Sequence, residues 1–95
     1  MKLRLDKTMK SDLFIQEWTI INGSNEHKVI SESEWGHVEI VSGGDKKFKI
    51  GDHIVTASDI IGITISTIPL ITNDGEYCEI DENWIKECAK YGITI

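Results

Sequence analysis

Ninety-five residues make one domain with a single core, and 40% hydrophobic with 27% charged residues and a mean hydropathy of -0.18 describe a soluble globular chain rather than a disordered one. A formal net charge of -6, with Arg4 the one arginine among ten basic residues, disfavours a nucleic-acid partner, because phosphate binding needs clustered Lys and Arg. No apolar run reaches the roughly 18 residues that span a bilayer, and Met1 to Lys7 is charged with no apolar segment behind it, so the expected location is cytoplasmic, away from membranes.

Lys2 to Asp6 alternates polar and apolar residues, which predicts a first or edge strand with Leu3 and Leu5 on one face. Thr8 to Asp12 reads as a polar connection. Leu13 to Ile21 fits a helix or a strand, and strand is preferred: Trp18-Thr19-Ile20-Ile21 is β-rich, and Asn22 to Asn25 turns the chain into Lys28-Val29-Ile30. Ser31 to Glu34 is an acidic connection. Trp35 to Ser42 follows as a strand with Val38 and Ile40 on one side and Trp35, His37, Glu39 and Val41 on the other. Ser42-Gly43-Gly44-Asp45 is a strong turn signal, predicting a hairpin between Trp35–Ser42 and Lys46–Ile50.

The stretch from Phe48 to Ile68 holds three β-branched runs, Phe48–Ile50, Ile54–Thr56 and Ile60–Ile65, and is read as three successive antiparallel strands. Ser58 or Asp59 would cap the short turn between the last two. Pro69 places Ile68 to Thr72 at an edge or corner, Asn73-Asp74-Gly75 turns, and Glu76 to Ile80 forms a last short strand. Asp81 to Tyr91 is a helix: Asp81 at the N-cap, Glu82 near the positive end, Lys86 and Lys90 near the negative end, Gly92 just past it, and Trp84, Ile85, Cys88 and Ala89 as an apolar stripe. The expected fold is therefore α+β and predominantly antiparallel, a small partly open barrel or roll of about six or seven short strands with one C-terminal helix packed on it.

Little in the chain spells out chemistry. Cys78 and Cys88 lack the spacing of a zinc or redox pair and read as small buried hydrophobes. His37-Val38-Glu39 could supply two ligands or an acid–base pair, but the P-C-x-x-C of zinc deaminases is missing and no third ligand among His27, His53, Glu32 and Glu34 has diagnostic spacing. Gly43 to Lys47 lacks the phosphate-loop pattern, and Ser58-Asp59 lacks a nucleophile elbow. No cofactor or metal is expected.

What remains is Trp35, either a core residue or an exposed anchor among Glu32, Glu34, His37 and Glu39. The expected function is that of a non-enzymatic acidic binding or accessory protein, a regulator or inhibitor whose partner is another protein and whose docking face is Trp35, His37, Glu39, Glu32 and Glu34. A small-ligand-binding homo-oligomer is the first alternative, and an enzyme using His37 and Glu39 as acid and base the second. Abundant Ile and Lys with scarce Pro, Ala and Arg is the usage of an AT-rich coding genome, as in a low-GC bacterium or its phages.

Overall fold

A computed structural model describes residues 1–95. In chain order its elements are β1 (Lys2–Lys10), β2 (Phe14–Asn22), β3 (Asn25–Glu34), β4 (His37–Ser42), β5 (Lys47–Ile50), β6 (His53–Thr56), α1 (Ala57–Ser66), β7 (Tyr77–Glu79) and α2 (Glu82–Lys90). The first four strands form an antiparallel meander, and β7 joins beside β1, giving the order β4-β3-β2-β1-β7. β5 and β6 pair separately as a two-stranded sheet.

Strand register decides what each face buries. Leu3 lies opposite Ile20, Leu5 opposite Trp18, and Trp18 opposite Val29, so these five share one face, and all are buried. Onto that face pack Phe48, Ile50 and Val55 of the small sheet, Ala57, Ile60 and Ile61 of α1, Ile71, Ile80, and Trp84 and Cys88 of α2, closing one continuous core. The opposite face holds Arg4, Thr19 and Lys28 in register. Thr19 is nevertheless completely buried, because Asp6, displaced by a bulge between Leu5 and Lys7, accepts hydrogen bonds from Thr19, Arg4 (2.5 Å) and Lys28 (3.2 Å) directly over it.

Several expectations from the sequence are corrected. Ile60–Ile65 is helical rather than a strand. Thr56 is the N-cap, its hydroxyl accepting from Asp59 N (3.1 Å) while the Asp59 carboxylate accepts from Thr56 N (3.0 Å), a reciprocal capping box. Ala57, Ile60, Ile61 and Thr64 are then buried at helical spacing. Each β-branched residue costs such a helix a few tenths of a kcal/mol, whereas burying Ile60 and Ile61 contributes about 1.5–3 kcal/mol apiece, so burial wins.

The hairpin expected between Trp35–Ser42 and Lys46–Ile50 does not form either: β4 pairs with β3, and β5 pairs with β6. Ser42 to Asp45 instead carries the chain off the main sheet. Gly43 has φ +76, and a Cβ there would strike the Lys28 carbonyl; the Gly44 and Lys46 carbonyls accept from Ser58 N (2.9 Å) and Ala57 N (2.8 Å), tying the crossing to the start of α1.

Ser31–Glu34 and Thr8–Lys10, read as connections, are strand residues. The main sheet is open, with β4 and β7 at its edges, and there are two helices rather than one. The coarser expectation stands: mostly antiparallel α+β, with the C-terminal helix capped by Asp81 (accepting from Trp84 N, 3.0 Å), ended by Gly92 at φ +75, and burying Trp84 and Cys88. No helix is long and apolar enough to cross a membrane.

Candidate functional site

All five residues singled out from the sequence meet in the hairpin made by β3 and β4. Pairing of Glu34 with His37, Ser33 with Val38, and Glu32 with Glu39 leaves Trp35 and Gly36 as a two-residue turn. Paired residues share a face, so Glu32, Glu34, His37 and Glu39 stand on the same side. Ser31 and Ile40 fall on the other, inward side, where the Ser31 hydroxyl is completely buried and accepts from Trp18 Nε1 at 2.9 Å. The strand expected to begin at Trp35 begins instead at His37, and Trp35 occupies the bend.

Two local features of this hairpin work against stability. Trp35 has φ +49 and Gly36 φ +80, the left-handed pair of a type I′ turn, a position that Asn or Asp fills with less strain. Trp35 is the one non-glycine residue in the chain with positive φ, and it is 98% exposed, so the indole gains no burial in exchange. Glu32 directly opposite Glu39 adds a like-charge pair, unfavourable by roughly 0.2–1 kcal/mol. Beyond Glu39, a bulge near Ile30 and Ser31 leaves Val41 unpaired and exposed. The outer edge of β4 makes no backbone hydrogen bond to any other element.

His37 and Glu39 are both exposed on the hairpin surface. No set of three or more His, Cys, Asp and Glu side chains is placed to hold a metal ion. Cys78 and Cys88 are free thiols, half-buried and buried. Burial pushes Cys78 up to about 11 and Cys88 upward as well, which keeps both protonated and unreactive at neutral pH.

The sequence reading missed a cleft on the core side of the sheet. Phe14, Gln16 and Trp18 of β2, Thr64 and Ile65 of α1, and the Pro69–Thr72 segment enclose about 240 Å³. Gln16, a lone amide at the period-two spacing of Phe14 and Trp18, was the signal for it: a polar residue on a core face invites the question of what it meets. No family model, curated protein or solved structure matches this chain.

Proposed function

We propose that this chain is a non-enzymatic binding module that docks on another protein through the β3–β4 hairpin, with Trp35 as its anchor. The observation that carries the reading is a tryptophan 98% exposed at φ +49, a residue that costs the fold energy where it stands and packs on nothing of its own chain. Glu32, Glu34 and Glu39 around it, on a chain of net charge -6, fit a partner with an apolar pocket rimmed by Lys and Arg. The free edge of β4 offers main-chain hydrogen bonds to an extended partner segment beside that anchor.

The test is capture of a partner by the immobilised chain, followed by affinity measurement with the purified pair. Trp35→Ala should weaken binding by about 30-fold or more, the effect of losing a 2 kcal/mol anchor, while its unfolding midpoint stays at or above that of the parent. Glu39→Lys should weaken binding too, chiefly by slowing association. Unchanged affinity in Trp35→Ala, or unfolding of that variant, defeats the proposal.

A further inference from the structure

The cleft beneath the sheet is separate from the docking hairpin. Its inner chamber, about 240 Å³, has apolar walls from Phe14, Trp18, Ile65, Pro69 and Ile71, and no charged side chain lines it. An outer chamber of about 460 Å³ shares Phe14, Gln16 and Thr72 with it and brings Lys10 and Asp74 to the rim. Gln16 stands where the two chambers meet.

Its carboxamide is nearly unused. Gln16 is 8% exposed, yet Nε2 reaches only Thr8 Oγ1, at 3.5 Å, the outer limit of a hydrogen bond, and no protein donor reaches Oε1. Its carboxamide oxygen keeps contact with solvent and is free to pair with whatever enters the cleft. Two hydroxyls of the inner chamber are already committed as donors, Thr64 Oγ1 to the Ile60 carbonyl at 2.7 Å and Thr72 Oγ1 to Glu76 at 3.1 Å. Toward the chamber they can only accept.

We infer that this cleft binds a small uncharged ring with an amide-type edge, a lactam or cyclic ureide. The ring's N–H and C=O pair with the Gln16 carboxamide, its faces lie against the apolar walls, and in a cyclic ureide the second N–H donates to Thr64 or Thr72. Neutrality follows from the uncharged lining. Size follows from volume, since drug-sized ligands occupy roughly 300–1,000 Å³ and the inner chamber is smaller.

The experiment is an amide-resolved NMR titration of the whole chain with uracil and δ-valerolactam, beside N,N′-dimethyluracil, which replaces the N–H groups by methyls, toluene, a bulkier ring with no polar edge that checks whether added methyl bulk alone excludes a ligand, and benzene, a ring with no polar edge. Saturable shifts of the Gln16 side-chain amide and the Trp18 indole are expected with uracil or the lactam, with dimethyluracil at least about tenfold weaker. Gln16→Leu, checked for retained spectral dispersion, should lose that preference and still admit benzene. Ile65→Trp, which fills the chamber from the helix side, should block every probe. Absence of saturation with both uracil and the lactam, or dimethyluracil binding as tightly as uracil, or uptake of benzene alone, overturns the inference and makes the chamber a gap in packing.

Discussion

Trp35→Asn separates what the turn needs from what the surface offers. A side chain bearing Cβ in the left-handed region costs about 1–2 kcal/mol, and Asn recovers part of that by bonding to its own backbone. Because Trp35 is 98% exposed, its removal gives up almost no buried apolar area. The net expectation is a gain of about 0.5–1 kcal/mol, which for a domain of 95 residues raises the midpoint by about 2–8 °C. Urea unfolding followed by far-UV circular dichroism measures it without relying on indole fluorescence. A parallel acrylamide quenching experiment checks the premise: of three tryptophans, Trp18 is 1% and Trp84 4% exposed, so the readily quenched emission belongs to Trp35 and should vanish in the variant. A loss of stability beyond about 0.5 kcal/mol, or persistence of the quenched component, would show that the indole packs on the fold and that the turn argument is wrong. On the proposed docking role the same variant would also bind its partner more weakly, a stability–function trade at one residue.

Burial of Asp6 opposes its ionisation, but the hydrogen bonds from Thr19, Arg4 and Lys28 outweigh that and hold its carboxyl below the usual aspartate range. Its contribution to stability is therefore present above the unfolded pKa of about 3.9 and is lost as pH falls through the lower folded value. Acid titration of the unfolding midpoint should show a steeper decline in the parent than in Asp6→Asn, and parallel curves would rule the network out. Thr56→Ala removes one arm of the α1 capping box and should cost about 0.5–2 kcal/mol in urea unfolding; Ser58→Ala, whose side chain does not cap, should cost less, and the reverse ranking would contradict the cap assignment. With Cys78 held near 11, about one thiol in ten thousand is ionised at pH 7, so labelling by a disulfide reagent should be slow in the native chain and rapid in urea.

How much of this was legible in the sequence depended on whether local and tertiary signals agreed. Alternation over Lys2–Asp6 and Trp18–Ile21, with Asn22 to Asn25 between β2 and β3, marked the heart of the meander, and Asp81 to Gly92 spelled out α2 with cap, stripe and stop. The failures have specific causes. Ile60, Ile61, Ile63 and Ile65 carry strand propensity, which outweighed the Thr56-x-x-Asp59 capping signature; burial at Ala57, Ile60, Ile61 and Thr64 decided for helix. Gly43-Gly44 carried the hairpin signal while Trp35-Gly36 was read into a strand, because a tryptophan at positive φ is too unusual to expect. Glu32, Glu34, His37 and Glu39 nonetheless share one face, though by pairing across the Trp35-Gly36 turn rather than by the strand beginning at Trp35 that the sequence suggested.

The features that local stability does not account for gather at one end of the main sheet. In register, Phe14 lies opposite Ser33, and Ser33 opposite Val38, which places the wall of the cleft beside the base of the Trp35 turn. Here the Ser33 hydroxyl is buried without a partner, Gln16 Nε2 reaches only Thr8 Oγ1 at 3.5 Å, and Glu32 faces Glu39. At the other end, Leu3 pairs with Ile20 and Cys78, and the Ile80 amide donates to the Met1 carbonyl at 2.8 Å, with apolar side chains completing the core. The unpartnered indole N–H of Trp84, on α2, is the exception. Sequences that specify a fold satisfy local rules wherever nothing else competes, so a concentration of broken rules marks this end of the sheet as the place to test for binding.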